Sequence, residues 1–269
     1  SMAMVAMPRS PNGGSRSSGA CGAGGDGGGG GGGSGDSGFG GGSTNRLGCV
    51  GGFGGGAGGG GANIDPGGVG GSAGAGGLGG GAGAKGTAYD GGAGGGGLGG
   101  GGAIFSRGGS LIIVASTFYS NSATGGARGT GLRVAEDGSG FGGALLNITA
   151  TVTISGSTFS TNQASTHGGG LYTSASLILT ATQFLGNTAG DAGGGMLAQG
   201  AVTAANSRFE NNRASTGGGL FMAAPLTLTN TQFRGNTASG DGGGATAFGA
   251  VTAINSDFEN NLSTGGAGG

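Results

Sequence analysis

A motif of about 25 residues recurs six times along the chain, and this repeat limits the possible folds more than any other feature. Its first part is Phe-x-x-Asn, whose successive copies lie 41, 25, 25, 24 and 25 residues apart. A unit this short cannot bury an apolar face alone, so the copies must stack on one another. The six copies are Phe118/Asn121, Phe159/Asn162, Phe184/Asn187, Phe209/Asn212, Phe233/Asn236 and Phe258/Asn261.

The second part of the motif is a glycine pair or triplet followed by a small or apolar residue, as in Gly168–Leu171 and Gly217–Leu220. Between the two parts the sequence alternates with period two, as in Leu226-Thr227-Leu228-Thr229, which indicates a strand with one buried face. Short stacked strands turned by Gly and Asn predict an all-β fold, a right-handed parallel β-helix of about six coils of ~25 residues.

Stacking places the asparagine of each motif over that of the next coil. Side-chain amides in such a rank can hydrogen-bond along the axis of the stack. The predicted Asn ladder consists of Asn121, Asn162, Asn187, Asn212, Asn236 and Asn261. The alternative is that these residues only supply turns, where Asn tolerates a left-handed backbone. The same stacking predicts that Arg234 lies between Glu210 and Glu259 of the adjacent coils.

Two neighbouring ranks after the glycine signature are rich in apolar residues, and adjacent strand positions face opposite sides. We expect the first rank to point inward: Ile104, Leu145, Leu171, Met196, Leu220 and Ala245. The second, which then points outward, is Phe105, Leu146, Tyr172, Leu197, Phe221 and Thr246. Because a monomer rarely exposes such a stripe, we expect the Gly-rich region or another subunit to cover it. Phe105, Tyr172 and Phe221 are therefore predicted self-association residues.

Glycine divides the chain, since residues 12–102 hold 50 glycines whereas residues 111–269 hold 31. We assign 1–11 as an N-terminal apolar segment, 12–102 as a Gly-rich domain and 103–269 as the β-helix. The Gly-rich domain is predicted to be a bundle of extended three-fold helices of the polyglycine II type, with a disordered linker as the alternative. The 41-residue gap holds an insertion at 127–139, predicted to be a surface loop.

Cys21 and Cys49 are the two cysteines of the chain. A disulfide between them would staple a region without an apolar core and would fit an oxidising, extracellular compartment, whereas the alternative is two unpaired thiols. The short apolar run at the start of the chain contains Met2, Met4, Val5 and Met7. We expect it to add a strand or plug to a neighbouring subunit, with a frayed terminus as the alternative.

The coupled GGA[ILV] and FxxN repeats over roughly residues 101–269 resemble those of chlamydial-type polymorphic outer-membrane proteins and of other secreted bacterial β-helix proteins with a preceding Gly-rich stretch. The resemblance implies a right-handed β-helix displayed outside the cell, often as an adhesin. It therefore adds a cell-surface location to the fold that the spacing predicts.

Charge and residue supply exclude several functions. Ten Lys and Arg against eleven Asp and Glu leave no basic surface for nucleic acid, and no apolar run is long enough to span a membrane. His167 is the single histidine and is expected to be solvated, which argues against a hydrolytic triad. Asp191 and Asp241 lie two coils apart, too far for a retaining carboxylate pair. We expect no enzyme activity, no metal and no cofactor.

The predicted function is that of an extracellular or cell-surface structural protein, a homo-oligomer or self-associating filament subunit. The alternative is an adhesin that binds glycans on a host or in the environment. Two further alternatives are weaker. One is an ice-binding protein, since threonines repeat at outward strand positions, but only Thr227 and Thr229 form the regular pair that ice binding needs. The other is a polysaccharide-degrading β-helix enzyme.

Overall fold

The computed structural model describes residues 50–51, 54–59, 72–86, 92–130 and 133–268. Within these ranges all regular secondary structure is β-strand, and the chain divides into two compact units. The first unit comprises the described residues up to Leu98 together with Gly125–Ser139. The second comprises Gly99–Thr124 and the described residues from Gly140 onward. The insertion between the first two Phe-x-x-Asn motifs thus belongs to the Gly-rich unit.

The second unit opens with β1 (Gly99–Gly100) and then winds through coils of four strands each. The first coil comprises β2 (Ile104–Ser106), β3 (Ser110–Val114), β4 (Thr117–Tyr119) and β5 (Ser122–Ala123). After the insertion, β6 (Gly140–Phe141) leads into β7 (Leu145–Asn147), β8 (Thr151–Ser155), β9 (Thr158–Ser160) and β10 (Gln163–Ala164). The third coil comprises β11 (Leu171–Thr173), β12 (Leu177–Thr180), β13 (Gln183–Leu185) and β14 (Thr188–Ala189).

The last three coils repeat this order. The fourth coil comprises β15 (Met196–Ala198), β16 (Val202–Ala205), β17 (Arg208–Glu210) and β18 (Arg213–Ala214). The fifth comprises β19 (Leu220–Met222), β20 (Leu226–Thr229), β21 (Gln232–Arg234) and β22 (Thr237–Ala238). The sixth comprises β23 (Ala245–Ala247), β24 (Val251–Ile254), β25 (Asp257–Glu259) and β26 (Leu262–Ser263).

Equivalent strands of successive coils pair in parallel and form four six-stranded sheets. Sheet I contains β2, β7, β11, β15, β19 and β23; sheet II contains β3, β8, β12, β16, β20 and β24. Sheet III contains β4, β9, β13, β17, β21 and β25; sheet IV contains β5, β10, β14, β18, β22 and β26. Six levels make about five full turns, so the predicted parallel β-helix is confirmed, whereas its right-handedness stays a prediction.

The repeat phenylalanines form the centre of the core. Phe184 pairs with Phe159 on one side and Phe209 on the other, with ring centroids 4.9 and 4.8 Å apart and nearly parallel rings. The same stacking runs from Phe118 to Phe258. Leucine, valine and isoleucine from sheet II and the predicted inward rank of sheet I pack around the rings, with Leu145, Leu171, Met196 and Leu220 fully buried. Each layer of the core is therefore filled by one repeat phenylalanine and the inward residues of sheets I and II of the same coil.

The Asn rank forms a continuous hydrogen-bonded ladder beside the phenylalanines. Asn187 Nδ2 donates to Asn212 Oδ1 at 3.0 Å and to the Phe159 carbonyl oxygen at 2.9 Å. Its Oδ1 accepts both Nδ2 and the backbone N–H of Asn162, each at 2.9 Å. The pattern extends from Asn121 to Asn261. Both amide atoms of a fully buried side chain are satisfied, which the turn interpretation alone does not require.

Backbone-to-backbone hydrogen bonds join the segments of the first unit, and their donors recur every third residue. The N–H groups of Gly74 and Gly77 donate to the carbonyl oxygens of Gly58 and Gly55, respectively. Those of Gly126 and Gly129 donate to the carbonyl oxygens of Gly97 and Gly94, respectively. Likewise, the N–H groups of Gly81 and Ala84 donate to the carbonyl oxygens of Gly96 and Ala93, respectively. Those of Gly95 and Leu98 donate to the carbonyl oxygens of Ala57 and Gly54, respectively. The insertion takes part, because the Glu136 carbonyl oxygen accepts the N–H of Gly96 and Ala135 is buried near Ala84 and Ala93. It is therefore more than the surface loop that the sequence suggests.

Glycine is required where these segments approach. A Cβ added at Gly59, Gly92 or Gly95 would overlap a carbonyl group of a neighbouring segment. The predicted disulfide of Cys21 and Cys49 and the predicted connector residues Met2, Met4, Val5 and Met7 lie outside the described residues.

Candidate functional site

The outward face of sheet I carries a concave site. A groove of about 280 Å³ crosses β11, β15 and β19 at three successive levels. Its lining comprises His167, Tyr172, Asp191, Ala192, Leu197, Gln199, Thr216, Phe221 and Ala223. Because equivalent residues of successive coils pair in register, these side chains are held in rows by the sheet behind them.

A short bridge ladder forms one wall of the groove. Phe141, His167, Ala192 and Thr216 pair in parallel at successive levels, immediately before the glycine turns that lead into sheet I. The Phe141 ring stacks on Tyr172 with centroids 4.8 Å apart and on His167 at 5.1 Å. Phe141 of this wall therefore covers Tyr172, which is buried.

The predicted outward rank of sheet I has three different environments. Tyr172 is only 2% exposed, so it cannot serve as the predicted self-association residue. The ring of Phe141, in the same unit, stacks on it. Phe105 is 44% exposed, whereas Phe221 is half-buried and packs against Phe248, whose side chain is 75% exposed. Among the three residues only Tyr172 is buried.

His167 is half-buried, which corrects the expectation of a solvated side chain. Burial lowers its pKa, and the carboxylate of Asp191, with Oδ2 3.6 Å from His167 Nδ1, opposes that shift without cancelling it. Burial also raises the pKa of Tyr172, against the opposing effect of its hydrogen bond to Gln199. The groove consequently offers a half-buried imidazole and an amide beside one exposed carboxylate.

Sheet III presents a charged surface instead. The register places Arg234 between Glu210 and Glu259, as predicted. Its guanidinium binds Glu259, with an N–O distance of 2.6 Å, while Glu210 pairs with Arg208 at 3.1 Å. A second, more open concavity of about 350 Å³ lies at the corner between sheets II and III and is lined by polar side chains including Gln183, Arg208 and Gln232.

Sheet II presents a surface without charge, which we call the charge-free face. It consists of the residues eight, six, four and three positions before each repeat phenylalanine, 24 residues on or directly beside the six strands, none of them charged and none buried. The rank six positions before the phenylalanines is Ile112, Thr153, Ile178, Thr203, Thr227 and Thr252. The rank four positions before them is Val114, Ser155, Thr180, Ala205, Thr229 and Ile254.

No group of three or more His, Cys, Asp or Glu side chains that could hold a metal ion occurs within the described ranges. In the part of the chain that the structure describes, no helix is long and apolar enough to cross a membrane.

No protein-family model matches the chain. Comparisons with curated proteins and with solved structures likewise give no match. The residues of the groove and their chemistry are therefore the observations that bear on function.

Proposed function

We propose that the second unit is a non-enzymatic, extracellular glycan-binding module of the adhesin type, and that the sheet I groove is its ligand site. The observation that carries the proposal is the pairing of an exposed aromatic edge with hydrogen-bonding groups in a groove on a rigid sheet. Phe221 and the 75% exposed Phe248 supply the aromatic edge. Their rings offer an apolar surface to the C–H faces of a sugar.

The polar side of the groove suits sugar hydroxyl groups. Asp191 and Gln199 are exposed at the groove, and Thr216 lies beside them, so an acceptor, an amide and a hydroxyl converge there. Specific sites commonly combine an apolar surface with a few such convergent polar groups. The carboxylate of Asp191 is repelled by acidic sugars, so the proposal specifies neutral glycans or amino sugars.

The geometry of the stack favours a chain of sugars over a single ring. Consecutive coils lie ~4.8 Å apart, close to the length of one sugar ring in an extended glycan. A glycan along the stacking direction would therefore meet equivalent positions at each level it crosses.

The carboxylates of the groove support binding rather than cleavage. Glycoside hydrolysis commonly needs two carboxyl groups on either side of the scissile bond. Among the described residues that line the groove, Asp191 is the single carboxylate. The remaining lining residues supply amide, hydroxyl and aromatic groups, which bind sugars without cleaving them.

The first unit is part of the same proposal, as a polyglycine-II-like bundle that acts as a spacer or structural element. Support comes from its donors at every third residue, the spacing of an extended helix with three residues per turn. The cell-surface location and the kinship with chlamydial-type repeat proteins remain proposals supported by the repeat pattern.

An array of neutral and acidic oligosaccharides tests the ligand. We expect the full chain to bind neutral or amino-sugar chains, and Phe221→Ala to weaken binding about tenfold or more. Gln199→Ala, at an exposed position, should weaken binding without disturbing the fold. Tyr119→Ala is the matched control, because Tyr119 is 67% exposed on sheet III, away from the groove. No binding to any glycan, or equal loss with Tyr119→Ala, would contradict the proposal.

A further inference from the structure

The concavity at the corner between sheets II and III spans the third, fourth and fifth levels of the stack, and we call it the polar corner. Its volume of about 350 Å³ falls within the range of about 300–1,000 Å³ that small-ligand sites occupy. Among the described residues that line it, Arg208 carries the single charge, and the others that the argument uses are Ala181, Gln183, Asn206, Asn230 and Gln232.

The turn between the two sheets places a first row of side chains at the polar corner. Ala181, Asn206 and Asn230 occupy the same position on successive coils, with left-handed φ values of 47°, 51° and 49°. Asparagine tolerates this backbone conformation better than most residues, and both asparagines are exposed. Asn230 Nδ2 donates to Asn206 Oδ1 at 3.2 Å, which fixes the two amides relative to each other. The turn therefore presents two oriented amides to the concavity.

A second row of planar polar groups runs beside the first, on sheet III. Gln183, Arg208 and Gln232 pair in register at three successive levels, so their side chains leave the sheet ~4.8 Å apart. The side-chain amides of Gln183 and Gln232 form no hydrogen bond with a described residue. Arg208 Nε is buried and likewise lacks a hydrogen bond within the described ranges, although Glu210 Oε2 lies 3.1 Å from it. The row therefore holds unused hydrogen-bonding groups around one cation.

We propose that the polar corner binds an acidic glycan, and that Arg208 recognises a sugar carboxylate. A guanidinium forms charge-assisted, often bidentate hydrogen bonds with a carboxylate, and these are stronger than hydrogen bonds between neutral groups. The amides on the adjacent levels offer donors and acceptors to the hydroxyl groups of the same sugar chain. Glu210 contacts the guanidinium at Nε but does not line the corner. The lining therefore attracts an anionic ligand.

The spacing of the rows favours a sugar chain over a peptide. Successive levels are ~4.8 Å apart, close to the length of one sugar ring in an extended glycan, whereas an extended peptide advances only ~3.3 Å per residue. A glycan along the stack would therefore meet one level with each ring. The sheet III row continues at the sixth level with Asp257, whose carboxylate would repel a further acidic sugar. The polar corner therefore suits about three sugar rings.

This site goes beyond the proposed glycan groove, which lies on sheet I and has Asp191 as the single carboxylate among its described lining residues. The groove is proposed to take neutral or amino sugars, whereas the polar corner takes acidic ones. Loss of neutral-glycan binding in Phe221→Ala and loss of acidic-glycan binding in Arg208→Gln are separate measurements. The two proposals can therefore fail separately.

Calorimetric titration of the full chain with trigalacturonate, and with its methyl ester as the uncharged counterpart, tests the acidic-glycan site. We expect the acid to bind at least about tenfold more tightly than the ester, because esterification removes the charge that Arg208 recognises. We expect Arg208→Gln to weaken binding of the acid about tenfold or more. Glutamine occupies the equivalent position of both adjacent coils, so the fold accepts this substitution.

Arg213→Gln is the matched control. It removes the same charge at an exposed position of sheet IV, outside the polar corner, and Gln163 occupies the equivalent position two coils earlier. We expect this variant to bind trigalacturonate as the wild type does. Circular dichroism of both variants reports whether the β-helix is intact. Binding of the acid should also weaken as the salt concentration rises, because salt screens the attraction between the two charges.

Three results would overturn the proposal. The first is a wild-type chain that does not bind trigalacturonate, or that binds the methyl ester equally well. The second is an equal affinity of Arg208→Gln and Arg213→Gln for the acid while both variants are folded. The third is tighter binding of a triglutamate peptide than of trigalacturonate, abolished by Arg208→Gln; that result would assign the polar corner to acidic peptides.

Discussion

The two units of the molecule reach order by opposite means. In the β-helix, the same side chains recur at each level, and the phenylalanine stack and the Asn ladder link one coil to the next. In the Gly-rich unit, the links that repeat are backbone hydrogen bonds at three-residue intervals. At its closest approaches, glycine leaves no side chain between neighbouring segments.

This difference determines which substitutions each unit tolerates. In the β-helix the side chain is the stabilising element, so removing or replacing it is costly. In the Gly-rich unit the absence of a side chain is the stabilising element, so adding one methyl group at a close approach is costly.

The largest effect is expected from Asn187→Leu. Leucine fills a similar volume but leaves the Phe159 carbonyl and the Asn162 amide groups without this partner in a buried site, while Asn212 Oδ1 keeps only the backbone N–H of residue 187. We expect a loss of about 4 kcal/mol in the free energy of unfolding, measured by urea denaturation. Gln163→Leu, at an exposed position, is the control and should change stability little. Equal stability of the two variants would show that the ladder contributes nothing.

A smaller loss is expected from one methyl group in the Gly-rich unit. A Cβ at Gly95 would overlap the Gly81 carbonyl group, whereas a Cβ at the adjacent Gly94 would lie 3.3 Å from the Ala57 carbonyl oxygen. We expect Gly95→Ala to cost about 1–3 kcal/mol. Gly94→Ala should cost much less, because a shift of a few tenths of an ångström accommodates it. Calorimetric melting of the two variants checks the difference, and similar melting curves would contradict the close packing.

A stabilising change is expected at Thr161. This β-branched residue has φ of 55°, while Gly186 occupies the equivalent position of the next coil with φ of 61°. Replacing Thr161 with Gly should relieve about 1 kcal/mol of backbone strain, seen as a higher urea midpoint. Gly186→Thr is the reciprocal test and should lower the midpoint, since it introduces the same strain in open space. Shifts of the same sign in both variants would exclude this explanation.

The smallest effect is a pH dependence from His167. Because its pKa in the folded protein is lowered, mainly by burial, the unfolded chain binds the proton more tightly. The contribution to stability is therefore fully present above the ordinary pKa of about 6.5 and is lost as pH falls toward the lowered value. Unfolding of wild type and His167→Gln between about pH 8 and about pH 5 isolates it. Parallel pH profiles would mean that His167 does not contribute.

The sequence and the structure agree where a side chain repeats. Phe184 and Asn187 recur on every coil, so stacking them fixes the register and predicts both the core and the ladder. The inward rank containing Leu171 and Met196 follows from the same period. These features are predictable because identical residues at a fixed spacing occupy equivalent positions in a stack.

Other parts of the site depend on contacts that carry no periodic signal. Tyr172 and His167 stack on Phe141, which holds the position that His167, Ala192 and Thr216 hold on later coils, so the residue type at this position does not repeat. The pairing of Glu210 with Arg208, rather than with Arg234, depends on the conformations of long side chains. The insertion joins the Gly-rich unit through main-chain groups, and such groups are common to every residue, so their partners cannot be read from residue types.

Residue-resolved amide hydrogen exchange of the full chain tests the contrast between the two units most directly. In segment 92–98, Gly95, Gly96 and Leu98 donate hydrogen bonds, whereas Gly94 and Gly97 donate none to another described residue. We therefore predict slow exchange at the first three amides and fast exchange at the other two, beside continuous protection of the paired inner coils such as β12 and β16. Uniformly fast exchange across 92–98, or protection that alternates with period two, would contradict the three-residue hydrogen-bond pattern of the Gly-rich unit.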